Sequence, residues 1–262
     1  MAEPQNTNKR IKLDDVAYEL IYWPGIPGRA EFIRLLFEEA GVPYRDTAKD
    51  ESEAVSRVMA LTDADNKGDK TNVPAIACPV LRHGDLTLSQ TPNVLLYLAS
   101  RLGLAPTQGN ATYQLNQIVL TILDFLSNEV HDTHHPLGVA STYEEQKPAA
   151  KKRAELFKTD RLPKFLVYIQ RILDGEASGE GPWLYGGKLT YADLVLFQGI
   201  HGTEFAFPKT MKKMRDSGKY DGVFKLFEAV GDRPNIKEYL ASERRAPYSH
   251  GIWRHYPELD DE

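Results

Sequence analysis

The hydrophobic periodicity of this 262-residue chain changes once, between residues 104 and 110, and this change constrains the fold most. Before it, short apolar runs typical of strands alternate with segments whose apolar residues recur every three or four positions, as in helices. After it, only the helical spacing remains. Pro106 and Gly109 between the two parts favour a break in the chain. The sequence therefore predicts a flexible polar tail over 1–17, a mixed α/β domain over 18–104 and an all-helical domain over 110–262.

The order of elements predicted for the first domain is βαβ–α–ββα. Residues 18–23 are mostly aromatic or branched and predict a strand. The apolar stripe after Arg29 predicts a helix that Gly41 ends. The later elements follow from the same signals: a strand over 43–47, a helix over 51–61, a strand over 73–81 entered through Pro74, a Gly-Asp turn, a returning strand over 86–88, and a helix that begins with Thr91 as its N-cap.

The second domain is predicted to contain long helices over 111–132, 143–173, 190–207, 221–230 and 235–242. Thr190 and Asp193 have the spacing of a capping box, in which each side chain satisfies a backbone N–H at the start of a helix. We expect this pair to be structural.

Charge and cysteine content exclude several classes of protein. The net charge of −5 disfavours a protein whose main work is to bind nucleic-acid phosphates. The single cysteine, Cys78, excludes an intramolecular disulfide framework and any zinc site with two thiolates. Cys78 lies within a strand pattern, and we expect it to be a small buried apolar residue. No run of about 18 apolar residues is present and the first residues are polar, so we expect a cytoplasmic location.

Five segments, in this order, resemble the cytosolic glutathione transferases. The segment YELIYWPGIPGRAEFIRLLFEEAGVPY resembles the first βαβ unit of the tyrosine-type branch, which comprises the sigma, pi, mu and alpha classes. The others are Val73-Pro74, the run from Leu88 to Ala99, the run LTYAD from Leu189, and the run RPNIKEYL from Arg233. The resemblance implies a thioredoxin-like N-terminal domain, an all-α C-terminal domain and a homodimer. It also implies glutathione as a co-substrate, with no metal or other cofactor.

Tyr22 is the residue that the resemblance implies to be catalytic. It ends the first predicted strand, where ligands of open α/β sheets gather, although a core aromatic residue is the alternative from position alone. The thiolate of glutathione is the nucleophile, and a cysteine thiol with a pKa of about 8.5 is mostly protonated at neutral pH. A tyrosine hydroxyl that donates a hydrogen bond to sulfur favours the thiolate.

The loop after Tyr22 is implied to contact both substrates. Residues 23–31 contain no Cys or Ser, which argues against disulfide exchange and against the family's cysteine and serine classes. Trp23 would line an apolar pocket for the electrophile, and Arg29 would steer the glycyl end of glutathione. The stretch from Tyr22 to Arg29 is one residue longer than in the common family pattern.

Five further residues are implied to bind glutathione. Gln90 and Thr91 lie at a predicted helix start, where free N–H groups suit the γ-glutamyl carboxylate. Val73 and Pro74 would run alongside the tripeptide with a cis bond between them. Asn72 would stand where the family often has glutamine.

Two features of the first long helix have competing interpretations. By resemblance, Asp124 would reach across a dimer to the partner's γ-glutamyl amine, whereas an acid on a helix is ordinarily solvated. His131, His134 and His135, with Asp132, have spacing that a metal site could use, but solvated histidines at a helix end are the expectation.

The sequence therefore predicts an enzyme that conjugates the glutathione thiolate to small hydrophobic electrophiles, without metal, nucleic acid or membrane. The alternatives are a glutathione-dependent isomerase that uses the same thiolate and a non-catalytic ligand-binding relative.

Overall fold

The computed structural model describes residues 18–107 and 109–261, so the tail predicted over 1–17 lies outside the described residues. Its first domain has a four-stranded sheet in the order β2-β1-β3-β4. The strands are β1 (Tyr18–Ile21), β2 (Arg45–Asp46), β3 (Val80–His83) and β4 (Leu86–Ser89). β1 pairs with β2 in parallel, and both other pairings are antiparallel. This is the mixed sheet of the predicted thioredoxin-like domain.

Three helices complete the first domain: α1 (Ala30–Ala40), α2 (Glu51–Thr62) and α3 (Thr91–Arg101), with a 3-10 turn at Thr47–Lys49. In α1, Phe32, Leu35 and Leu36 are fully buried. Gly41 ends α1 in the left-handed conformation, with φ of 63°, and its N–H caps the last turn.

The predicted third strand is wrong in its start. The strand begins at Val80 and not at Val73, and the side chain of Val73 is 82% exposed. Val80 pairs with Ile21 on one side and Ser89 on the other, so the pairing partners set where the strand begins. The described residues contain one cis peptide bond, Cys78–Pro79, so the cis bond expected at Val73–Pro74 was also wrong. Two X-Pro pairs precede the apolar run, and local sequence does not distinguish them.

The second domain is helical throughout, as predicted. Two long helices widen into π-helical turns at Asp124–Glu129 and at Phe157–Arg161, and a 3-10 turn lies at Glu176–Ser178. The α-helices are α4 (Ala111–Leu123), α5 (Val130–His134), α6 (Tyr143–Leu156), α7 (Leu162–Leu173), α8 (Tyr191–Ala206), α9 (Pro208–Asp216), α10 (Asp221–Gly231), α11 (Pro234–Leu240) and α12 (Pro257–Asp260). Helix α9 was not predicted because only Met211 in it is buried. No described helix has the length and apolar content that a membrane span requires.

Residues 241–261 form a C-terminal segment that contacts both domains. Trp253 is 1% exposed, and its indole N–H donates to the Leu126 carbonyl at 3.2 Å. Its ring meets the Phe32 ring of α1 edge-on, with centroids 5.6 Å apart. A Cβ atom at Gly202 would lie 2.2 Å from this indole, so only glycine leaves room for it in α8.

A buried polar network fixes α1 to the second domain. Glu31 is fully buried, and its carboxylate accepts hydrogen bonds from the Tyr239 hydroxyl at 3.0 Å and from Arg245 Nε at 3.1 Å. Arg34 donates to the same carboxylate at 3.2 Å and to Asp46 at 2.8 Å. Because a buried charge is tolerated only when it is paired and hydrogen-bonded, these contacts hold the position of the first turn of α1.

Candidate functional site

Tyr22 follows β1 directly and points its hydroxyl at the start of α1. The side chain is 6% exposed, and its hydroxyl oxygen accepts a hydrogen bond from the backbone N–H of Arg29 at 2.9 Å. Arg29 is the N-cap residue of α1. A free N–H at a helix N-terminus carries partial positive charge, so it polarises the phenol.

Gly28 allows this contact. A Cβ atom on Gly28 would lie 2.2 Å from the Tyr22 hydroxyl oxygen, and the residue has a φ of 47°. Both the close approach and the left-handed backbone require glycine. Gly28 therefore lets the Tyr22 hydroxyl reach the N-terminus of α1.

Tyr22 stays protonated at neutral pH. Burial raises the pKa of the phenol above its usual value of 10.0, against the smaller lowering effect of the Arg29 N–H. The oxygen accepts from that N–H, and no acceptor for its own O–H hydrogen lies among the described residues. The group can therefore donate a hydrogen bond to a ligand and cannot serve as a base.

The side chain of Arg29 joins the first domain to the π-helical turn of the second. Its Nη2 donates to Asn128 Oδ1 at 2.9 Å, and the Asn128 amide lies 3.4 Å from Asp124 Oδ1. The structure thus brings together two predicted site residues, Arg29 and Asp124, through Asn128, which sequence reasoning missed. A π-helical turn often marks a functional position, but no sequence pattern predicted the one at Asp124–Glu129.

Gln90 and Thr91 begin α3 in an unusual conformation. Gln90 has φ of 70° and ψ of 115°, and it is the one described non-glycine residue with positive φ. Such a backbone costs of order 1–3 kcal/mol and is typical of ligand-binding positions. Gln90, not Thr91, is the N-cap residue, so the predicted cap was one residue late. Thr91 is 4% exposed, and its hydroxyl oxygen has no hydrogen-bond partner among the described residues.

The side-chain amide of Asn72 is hydrogen-bonded to other residues of the first domain. The amide nitrogen donates to the Asp85 carbonyl at 2.8 Å, and the amide oxygen accepts from the Thr87 backbone N–H at 2.8 Å. Asn72 therefore ties its loop to the hairpin. Val73 and Pro74 are exposed and precede β3 by several residues, so the structure does not place them at the strand edge as expected.

Cys78 and Pro79 occupy the position expected for Val73 and Pro74. Burial raises the pKa of the Cys78 thiol to about 11, while a hydrogen bond with the Trp23 backbone N–H opposes the rise. Cys78 is half-buried and precedes β3, so its predicted place inside a buried strand was wrong. Trp23 is 36% exposed and lies beside Tyr22 in the chain.

The histidines at the end of α5 are not solvated as expected. His134 and His135 are 1% and 6% exposed, and His134 Nε2 hydrogen-bonds the Ile252 carbonyl at 2.8 Å. The C-terminal segment covers them, which no local pattern predicted. Among residues 18–107 and 109–261, no group of three or more His, Cys, Asp or Glu side chains could hold a metal ion.

Comparisons with known proteins find similarity to glutathione S-transferases. Residues 131–243 match the family described as glutathione S-transferase, C-terminal domain. The chain is 24% identical over 236 residues to a glutathione S-transferase of Plasmodium falciparum, covering 87% of this chain and 98% of that protein. It is 28% identical over 228 residues to glutathione S-transferase P 2 of Bufo bufo, covering 87% of this chain and 94% of that protein.

A solved structure agrees at the level of the fold. The Pi-class glutathione S-transferase of Onchocerca volvulus matches with a TM-score of 0.63 and 21% identity, over 86% of this chain and 92% of that one. The mixed sheet with its helical second domain is therefore a fold that this family has. The chain is thus similar to glutathione S-transferases over most of its length, and its residues 131–243 match the C-terminal domain of that family.

Proposed function

We propose that this chain conjugates glutathione to small hydrophobic electrophiles, and that it does so as a tyrosine-type member of its family with Tyr22 as the catalytic residue. The observation that carries the proposal is the Tyr22 hydroxyl, which accepts the Arg29 N–H at 2.9 Å and keeps its own hydrogen available. The relatives named glutathione S-transferase support the reaction class.

The reaction requires one hydrogen-bond donor to the sulfur of glutathione. The glutathione thiol loses its proton to solvent, and the Tyr22 O–H donates to the thiolate, which favours the charged form. The N–H at the start of α1 polarises the same phenol and strengthens that donation. The thiolate then forms a carbon–sulfur bond with the electrophile, and a leaving group departs with its electron pair. No electron transfer occurs, so the step needs no redox cofactor.

Gln90 and Thr91 are proposed to hold the γ-glutamyl carboxylate. The buried Thr91 hydroxyl without a partner and the free N–H groups of the first turn of α3 are donors that suit an anion. A strained backbone at Gln90 directs these donors to one side of the helix start. The contact lies far from sulfur, so it contributes equally to ground and transition states.

Cys78 and Pro79 are proposed as the strand edge beside the tripeptide. They lie immediately before β3 and next to Trp23, whereas Val73 and Pro74 lie outside the sheet. The Asn72 side chain is not proposed to contact glutathione, because its amide nitrogen already donates to the Asp85 carbonyl and its amide oxygen already accepts from the Thr87 N–H.

Thr91→Ala is expected to weaken glutathione binding without a comparable loss of turnover. One lost hydrogen bond to a charged group costs about 1.5–3 kcal/mol, so KM for glutathione should rise about 10- to 150-fold while kcat changes little. Gln90→Ala should act in the same direction. Ser100→Ala, exposed near the other end of α3, is the control. Unchanged glutathione affinity in both variants would remove this subsite from the account.

Asp124 is proposed to contact glutathione across a homodimer, which follows from the family resemblance. The carboxylate is exposed, and among the described residues it accepts a hydrogen bond from the Asn128 amide at 3.4 Å. The protein should elute at twice the 29.5 kDa of the chain at micromolar concentration. Elution as a monomer would contradict both the dimer and the role of Asp124 across it. A cytoplasmic location also stays a prediction.

Turnover of 1-chloro-2,4-dinitrobenzene with glutathione tests the function directly. We expect an enzyme-dependent rise in thioether absorbance well above the uncatalysed rate. A protein that binds glutathione but gives no such rise would favour the non-catalytic relative. No observation in the structure favours the isomerase.

A further inference from the structure

Arg34 is a buried arginine of α1 whose guanidinium holds three parts of the first domain together. The side chain is 3% exposed, and its Nη1 donates to the Pro27 carbonyl at 3.0 Å and to Glu31 at 3.2 Å. Its Nε donates to Asp46, at the end of β2, at 2.8 Å. One side chain thus fixes the loop after Tyr22, the first turn of α1 and the end of β2 relative to one another.

The Pro27 carbonyl is close in the chain to the contact between Tyr22 and the N-terminus of α1. It accepts a second hydrogen bond, from the Glu31 backbone N–H at 3.1 Å, so two donors fix its position. Gly28 follows, with φ of 47°, and the backbone N–H after it, that of Arg29, donates to the Tyr22 hydroxyl at 2.9 Å. A single residue therefore separates the anchored carbonyl from the N–H that polarises the phenol.

The loop from Trp23 to Gly28 depends on an anchor outside itself to keep one conformation. Gly25 and Gly28 both have positive φ, and glycine loses more conformational freedom on folding than any other residue. Pro24 and Pro27 have no backbone N–H, so they cannot donate hydrogen bonds that would tie the loop down. A hydrogen bond from a buried guanidinium is charge-assisted, and it supplies such an anchor.

Arg34 also lies beside the ring of Tyr22. Its guanidinium carbon is 5.9 Å from the ring centroid, within the range in which a cation interacts with an aromatic face. Burial raises the pKa of the Tyr22 phenol, and the charge of Arg34 is one of the effects that oppose this rise. A nearby positive charge favours the phenolate over the phenol, so it makes the hydroxyl a stronger hydrogen-bond donor.

We propose that Arg34 is a positioning residue, which holds the Tyr22 hydroxyl in place for the sulfur of glutathione by anchoring the Pro27 carbonyl. If this carbonyl moves, the N–H at the start of α1 moves with it, and the hydroxyl loses the contact that polarises it. Arg34 has no substrate contact in this role and acts through Tyr22. The role rests on the proposed function, because it concerns the group that stabilises the thiolate in that reaction.

The apparent pKa of the thiol of bound glutathione measures this role. Arg34→Met removes the donors and keeps an unbranched side chain, and we expect this pKa to rise about one unit above that of the wild-type protein. The corresponding kcat should fall about tenfold at pH 6 and hardly at all at pH 9, where the thiol is ionised in both proteins. Tyr44 and Tyr239 face Arg34 but stay protonated over this range, because burial raises their pKa values well above 10.0.

Two milder variants give a result even if Arg34→Met does not fold, since that change leaves Glu31 and Asp46 buried without their shared cation. Arg34→Lys keeps the charge, but one ammonium group does not reproduce a fork that spans Asp46 and Pro27. It should stay folded with the thiol pKa raised about half a unit, which is about threefold in kcat at pH 6. Asp46→Asn keeps the shape of the acceptor and removes its charge, so it should raise the thiol pKa in the same direction.

A double-mutant cycle with Tyr22→Phe distinguishes positioning from general destabilisation. Once the hydroxyl is absent, Arg34→Lys should raise the thiol pKa and lower kcat no further, because both changes act on one contact. Arg233→Met is the control for an ion pair lost from α1, since Arg233 pairs with Glu39 near the other end of that helix. This control should leave the thiol pKa and kcat unchanged, whatever its effect on Tm.

Three results would overturn the positioning role. The first is an unchanged thiol pKa in both Arg34→Lys and Asp46→Asn. The second is a loss in Arg34→Lys that adds fully to the loss in Tyr22→Phe, which would make Arg34 a structural residue. The third is a rise in KM for glutathione with an unchanged thiol pKa, which would assign Arg34 to substrate binding. A wild-type thiol pKa equal to that of free glutathione would instead contradict the proposed function.

Discussion

Tyr22→Phe is expected to remove most turnover while leaving the fold and the affinity for glutathione nearly intact. The substitution deletes one hydroxyl and keeps the buried ring, so packing should barely change. If the donor supplies about 2–3 kcal/mol, kcat should fall about 30- to 150-fold near neutral pH. The loss should shrink as pH rises, because the thiol of bound glutathione then ionises without help. Steady-state kinetics from pH 6 to pH 9 with saturating glutathione measure both effects.

Tyr18→Phe is the matched control for that variant. Tyr18 lies in the same strand, β1, and its ring packs against Phe37 and His83. It should keep wild-type kcat, since the lost hydroxyl lies away from the α1 N-terminus. Equal losses in the two variants, or a Tyr22→Phe protein with wild-type kcat at neutral pH, would make Tyr22 a core aromatic residue.

Asp193→Ala is expected to have the largest effect on stability. The carboxylate is fully buried at the start of α8 and accepts hydrogen bonds from the Leu184 N–H at 2.8 Å, the Thr190 N–H at 2.6 Å and the Thr190 hydroxyl at 2.9 Å. Its removal leaves buried donors without acceptors, at a total cost of about 3–5 kcal/mol. Thermal unfolding should show Tm lowered by roughly 6–20 °C.

The matched variant Asp193→Asn keeps one acceptor oxygen in the same shape and should lose about half as much. Protein of either variant that remains folded at low temperature should turn over normally, because α8 supplies no group to the proposed site. A Tm unchanged in Asp193→Ala would show that water satisfies these donors, and a selective loss of kcat would give the residue a chemical role.

The elements that the sequence predicted well have strong local signals. Helix α1 was bounded by Gly41, whose left-handed conformation only glycine adopts without cost, and by an apolar stripe that is buried in the structure. The start of α8 followed from the spacing of Thr190 and Asp193. The fold class was confirmed because alternation of strand and helix signals is itself a local property.

The errors arise where contacts with residues distant in sequence determine the local structure. Val73 and Val80 each lie next to a proline at the start of an apolar run, so either could begin the strand. Pairing with Ile21 and Ser89 makes Val80 the first residue of β3. The same displacement moved the predicted cis bond from Val73–Pro74 to Cys78–Pro79. The sequence pattern predicts that a strand is present but not the register in which it pairs.

Two further residues that sequence reasoning missed come from the second domain. Asn128 reaches Arg29 across 99 positions, and the cover over His134 comes from Ile252, 118 positions away. Neither residue lies in a sequence motif. An asparagine on a helix and an isoleucine near the C-terminus are common and do not by themselves indicate a site. Their roles follow from packing of the C-terminal segment against α1 and α5.

The thiolate absorbance of glutathione bound to the wild-type protein, titrated against pH, tests the central claim most directly. The account predicts an apparent thiol pKa about two units below that of free glutathione, which corresponds to about 2.7 kcal/mol. In Tyr22→Phe the same titration should return the pKa nearly to its free value, with glutathione still bound. A bound thiol whose pKa equals that of free glutathione in the wild-type protein, or one that stays lowered in Tyr22→Phe, would contradict it.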